Sequence, residues 1–204
     1  MRTGMTILLT VLVGLALLAV GALVFRSSGM MNVSAVGRPG KLERFMLGGV
    51  ADRSIEKRAP TLQVAQDPTL VANGLRAYND LCVVCHSAPG LADGPIARGL
   101  NPPAPHLWSK GTQKMSDGEL YWVIQNGIRM SGMPAFGPTH SDAELRSLVA
   151  VVRHLPSLGT SGYVDEARSA GLVPALPPAA AASAGAGQHP DGPASTPAPG
   201  QGRP

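Results

Sequence analysis

The chain has 204 residues, a net charge of +4, two cysteines and only 4% aromatic residues. Its excess charge sits in residues 26–60, where Arg26, Arg38, Lys41, Arg44, Arg53, Lys57 and Arg58 outnumber Glu43, Asp52 and Glu56; residues 61–160 carry seven charges of each sign. That distribution excludes the folded basic face that nucleic-acid binding needs and leaves a basic segment suited to lying near anionic headgroups.

From Thr3 to Phe25 no residue is charged, a run of 23 positions bracketed by Arg2 and Arg26. At about 1.5 Å per residue it spans a hydrocarbon core of roughly 30 Å. The apolar stretch of a cleaved signal peptide is usually only about 7–15 residues, so residues 1–25 are read as a transmembrane anchor or uncleaved signal. Counting positive charges near the apolar run favours keeping its carboxyl end inside, because Arg26, Arg38, Lys41 and Arg44 all follow it.

Residues 26–60 read as a basic linker with one short helix, Leu42 to Ala51, interrupted by Gly48 and Gly49. A helix then opens at Asp67-Pro68, an acid able to cap it followed by the residue best tolerated in its first turn. Leu70, Val71, Leu75, Tyr78 and Leu81 recur at helical spacing and lead into Cys82. Ser87 to Gly111 is rich in Gly and Pro and follows neither period. Ser116-Asp117-Gly118-Glu119 and Ser141-Asp142-Ala143-Glu144 are two capping boxes, each opening an apolar-faced helix. The first stops at Asn126-Gly127, and the second buries Leu145, Leu148, Val149, Val152 and Leu155 before Pro156. No segment alternates at period two, so the expectation is an all-α fold confined to residues 61–163. Residues 164–204, dominated towards their end by Pro, Ala, Gly and Ser, are expected to form a disordered tail.

Both cysteines lie in Cys82-Val83-Val84-Cys85-His86. Two thiols three positions apart at a helix end can each add across a haem vinyl group, and the adjoining imidazole can take an axial position on the iron. Two other chemistries use such a pair. A redox dithiol would follow a strand, and none precedes this motif. A structural zinc would need two more ligands, such as His106 and His140, and the adjacency of Cys85 and His86 is awkward for it. For the sixth iron position the loop after Asn126-Gly127 offers Met130 and Met133. Met133 lies between Gly132 and Pro134, on the loop joining the two capped helices, and is the better placed of the two.

On Cys82-His86, the Gly-Met-Pro loop and the helix ending at Leu155-Pro156, residues 67–163 resemble the class I c-type cytochromes. The whole layout is similar to membrane-anchored bacterial monohaem cytochromes. The resemblance implies one covalent haem c, with Cys82 and Cys85 as thioether carriers and His86 and Met133 as axial ligands. It implies a proline carbonyl that orients His86, from Pro105 or, next best, Pro103. Tyr121 and Trp122 are expected at the pocket wall and Arg98 and Arg129 near the propionates, although simple core and surface roles fit them equally well. Arg146 and Val151 stand where the family often has aromatics, and Gly74 and Tyr78 are expected to preserve the helix crossing. Val83, Val84, Ala88, Pro89 and the loop Met133–Phe136 are expected to ring an exposed haem edge.

The implied function is electron transfer between redox protein partners of a respiratory chain, with no catalytic residue, small-molecule substrate or nucleic acid. Since the family attaches haem outside the bacterial inner membrane, the implied location is a single-pass protein with its haem domain in the periplasm, against the charge count. An electron-relay subunit of a membrane dehydrogenase or terminal oxidase is the alternative; a haem sensor or peroxidase-like protein is a more distant one.

Overall fold

The computed structural model describes residues 2–30, 33–37, 40, 49–159 and 161–177. The chain divides into two units, residues 1–37 and 38–204. In the first, α1 (Arg2–Ser27) is long and apolar enough to cross a bilayer, and none of its residues is buried by protein. A signal sequence has the same character, so α1 is a candidate anchor.

The second unit is helical, with α2 (Val50–Arg58), α3 (Pro68–Ala77), a π-helical turn (Tyr78–Cys82), α4 (Val83–His86), α5 (Pro95–Gly99), α6 (Lys110–Gln113), α7 (Asp117–Asn126), α8 (Asp142–His154), a 3-10 turn (Leu155–Ser157) and α9 (Gly162–Ser169). No strand occurs among the described residues. The sequence signals for the starts of α3, α7 and α8 act as expected. The Asp67 carboxylate accepts from the amides of Thr69 and Leu70, and both capping boxes close reciprocally.

The main packing is α3 across α8, and it is set by a missing atom. A β-carbon on Gly74 would lie 2.2 Å from the carbonyl oxygen of Ser147, so the two backbones meet directly. The aromatic partner missing from α8 comes from further along the chain. Tyr163, on α9, meets the buried Tyr78 ring edge-on with centroids 6.0 Å apart.

Two expectations about boundaries need correction. The helix expected over Leu42–Ala51 falls mostly on residues outside those described, and the helix that is seen, α2, starts at Val50 and packs on α7 with Ile55 buried. The loose tail expected from 164 does not begin there. Tyr163, Val164, Ala167, Leu172 and Leu176 all join the core. Gly171, at φ +72°, ends α9 and turns the chain so that the Leu172 amide donates to the Ala167 carbonyl. A few spaced apolar residues were enough to order this segment, in a stretch whose average composition had argued for a tail.

Candidate haem site

The approach to the cysteine motif departs from a regular α-helix. At the π-turn the Val83 amide donates to the Tyr78 carbonyl, five residues back. Such turns accommodate one extra residue and recur at functional sites. The buried positions Val71, Leu75, Asn79 and Val83 show the effect. Over twelve residues a regular helix would drift about 120° off one face; one inserted residue removes about 100° of that.

Beyond the turn, His86 is buried and its Nδ1 lies 2.7 Å from the carbonyl oxygen of Pro105. Of the two prolines considered, Pro105 is the partner. That contact commits Nδ1 as the donor and leaves Nε2 as a lone-pair nitrogen. Burial pushes the His86 pKa down, partly offset by the Pro105 carbonyl, and His106 pushes it down further, so the ring favours its neutral, ligating form.

The chain then turns sharply at Ser87, a non-glycine residue at φ +56°. Buried hydrogen bonds hold this conformation: the Tyr78 hydroxyl donates to the Ser87 carbonyl at 2.8 Å, and Ser87 Oγ donates to the Leu91 carbonyl at 3.2 Å. Cys82 and Cys85 form no disulfide. The Cys82 thiol is pushed up to about 12, first by burial and then by Cys85. That is the opposite of the electropositive setting a redox dithiol requires.

The methionine loop is fastened back onto the end of α7. Ile128 donates to the Met133 carbonyl, Phe136 to Ile124 and Gly137 to Gln125. Met133 is partly buried and packs on the core, whereas Met130 sits at φ +61° with its side chain 91% exposed. Leu100 closes on the same loop, its side chain resting on Gly132.

The remaining expected residues are less uniform. Trp122 is partly buried. The Tyr121 hydroxyl is committed elsewhere, donating to Asp142 at 2.7 Å beneath Arg146. One guanidinium nitrogen of Arg98 donates to the Asp93 carbonyl, and Arg129 is exposed. Val83, Ala88 and Pro89 do not line an exposed edge; all three are buried, and in that stretch only Val84 and Cys85 are partly open. The expectation treated the motif as surface, whereas the segment after α9 packs over this part of the fold: a Gly94 β-carbon would meet Leu176 at 2.8 Å and the Val84 carbonyl at 3.7 Å.

Sequence reasoning missed Asn79 and Ser87. The signal for Asn79 was a polar residue in the four-residue column of Val71, Leu75 and Val83.

The candidate donors are therefore two unpaired thiols, one neutral imidazole with its second nitrogen anchored, and one partly buried thioether. Soft sulfur and imidazole donors of this kind suit haem c. Among the described residues no three His, Cys, Asp or Glu side chains gather as ligands for a metal ion. A groove of about 500 Å³ lined by Leu70, Arg76, Asp80, Leu81, His140 and Glu144 holds none of these donors.

No curated protein matches the chain. Among solved structures, c-type cytochrome XoxG from Methylobacterium extorquens AM1 is similar at 21% identity over 65% of this chain and 88% of that one, with a TM-score of 0.33. Residues 69–151 match the family described as cytochrome c oxidase, cbb3-type, subunit III. The match makes residues 69–151 similar to a c-type cytochrome domain, the family whose cofactor is covalently bound haem c.

Proposed function

We propose that the chain is a one-electron carrier in which Cys82 and Cys85 hold haem c through thioethers and His86 and Met133 ligate the iron. When bound, the haem supplies the Fe(III)/Fe(II) couple. The observation that carries this reading is the 2.7 Å contact of His86 Nδ1 with the Pro105 carbonyl, which commits that nitrogen as the donor and leaves Nε2 with the lone pair a metal needs. Pro105 holds the imidazole in one tautomer and orientation. Gly127 and the bonds at Ile128, Phe136 and Gly137 hold Met133. With both axial positions filled by the protein, no position is left for a substrate, so the domain relays electrons between redox proteins. Trp122 and Arg98 are the candidates for the pocket wall and a propionate contact.

The exposed apolar side chains Ile96 and Met130 lie on the two segments joined by the Leu100–Gly132 contact. With Arg98 and Arg129 beside them in sequence, they form the docking face in this reading. Residues 61–177 would make up the haem domain, with α1 anchoring it at the bacterial inner membrane and the domain in the periplasm. A reporter active only outside the cytoplasm, fused after Pro204, tests that orientation; activity of a cytoplasmic reporter instead would reverse it.

A second reading is favoured by the family match: an electron-relay subunit of a terminal oxidase. Purification in mild detergent separates the two, since a subunit brings larger partners with it and a free carrier comes alone. The core assignment is tested by haem staining of denatured protein. Wild type should stain, and Cys82→Ala/Cys85→Ala should not. An undiminished band in the double variant would sink it.

A further inference from the structure

We propose that Asn79 is a positioning residue for the haem site: by clasping the segment that follows α9, it holds the extra residue of the π-turn in place and so sets the rotation of the helix that presents His86. This rests on the assignment of His86 and Met133 as iron ligands.

Asn79 is buried, and its amide is used on both sides. Oδ1 accepts from the Tyr163 hydroxyl at 3.2 Å and from the Ala175 amide at 3.3 Å. Nδ2 donates to the Val173 carbonyl at 3.1 Å and to Asp80 Oδ1 at 3.2 Å. Three of these four partners belong to residues 162–177. No other side chain of α3 or the π-turn is hydrogen-bonded to that segment. The adjacent Tyr78 receives the Tyr163 ring on its edge and ties its own hydroxyl to Ser87, the residue after His86. The clasped segment is itself fixed at both ends. Glu166 meets His154 of α8 at 3.1 Å, and the Pro177 carbonyl accepts from Ala92 at 3.2 Å.

The inserted residue is what this clasp preserves. A π-turn is less favourable than continued α-helix and persists where its surroundings hold it. Asn79 sits inside the turn, on the buried column, where its amide would otherwise be a desolvated polar group without partners. If the clasp opens, the helix gains by returning to regular geometry. Positions after the turn then rotate by about 100° relative to α3. Val83 leaves the core, and His86 Nδ1 is carried off the Pro105 carbonyl.

The test uses full-length holoprotein with Asn79→Leu, which keeps the branched shape and the number of heavy atoms and removes all four hydrogen bonds. Glu166→Ala is the control, loosening α9 without touching Asn79. Asn79→Leu is expected to retain covalent haem, weaken or lose the sulfur-to-iron absorption band near the red end of the oxidised spectrum, and lower the potential; Glu166→Ala should match wild type in all three. A merely structural Asn79 would lower the melting temperature yet leave band and potential unchanged, and that result overturns the proposal. Wild type carrying haem but lacking the band would instead refute the ligand assignment, so the two failures are distinguishable. If Asn79→Leu does not fold, hydrogen exchange on wild type decides. The Val83 and Ala175 amides should open together with one free energy. A Val83 amide that stays protected while Ala175 exchanges overturns the proposal.

Discussion

Gly127 and Met133 approach so closely that a β-carbon on Gly127 would lie 2.7 Å from the Met133 carbonyl oxygen. Gly127 also sits at φ +66°, where an L side chain is strained. Gly127→Ala is therefore expected to push the methionine loop off α7. It should cost about 1–2 kcal/mol from backbone strain alone and weaken the sulfur-to-iron band. A denaturant melt and an oxidised visible spectrum check both outcomes. An unchanged spectrum would show that Met133 does not depend on this turn.

Met133→Ala should abolish that band, lower the potential and admit small ligands such as carbon monoxide. Met130→Ala should leave the spectrum intact, since its side chain reaches solvent. Exchanged outcomes would move the ligand to Met130 and leave the cytochrome assignment standing.

Two truncations test the packing of α9 and the segment after it. Removing 178–204 should leave the melting temperature and haem content unchanged. Stopping at Gly159 removes Tyr163, Leu172 and Leu176 from the core, each a loss of roughly 2–5 kcal/mol by analogy with large-to-small substitutions. The expected result is a domain that melts far lower. Equal melting of the two truncated chains would refute the packing described for α9.

The Glu144 carboxyl lies below the usual carboxylate range, held there first by the Ser141 amide and then by the Ser141 hydroxyl. A carboxyl depressed in the fold contributes stability above its unfolded value and loses it as pH falls through the folded one. Wild type should lose stability on the acid side more steeply than Glu144→Gln. Melting temperatures from about pH 6 to 2 read the difference, and parallel curves would refute it.

Much of the site was legible because its signals are local. Cys82 to His86 are contiguous, both capping boxes are four residues long, and Gly132-Met133-Pro134 marks its own loop. What could not be read depends on distance. Tyr163 replaces the aromatics absent at Arg146 and Val151, but its partner Tyr78 lies 85 residues earlier. Leu176 looks isolated among prolines and alanines until Gly94 supplies its other side, and the neighbouring Pro177 carbonyl accepts from Ala92. The π-turn was hidden for a different reason. Leu70, Val71, Leu75, Tyr78 and Leu81 fit an ordinary helix well, and only the burial of Asn79 and Val83 betrays the inserted residue.

The clasp on Asn79 joins residues 84, 94 and 96 positions apart, and this gives the molecule a built-in order of events. Proteins are made from the amino end at about 5–20 residues per second, so Cys82, Cys85 and His86 emerge roughly 5–20 s before Val173 and Ala175. During that interval nothing holds the extra residue of the helix, and the motif is a short open peptide. Whatever loads the cofactor can therefore meet its target in an accessible form. The segment that carries Tyr163, Val173 and Ala175 can close on Asn79 only after that interval.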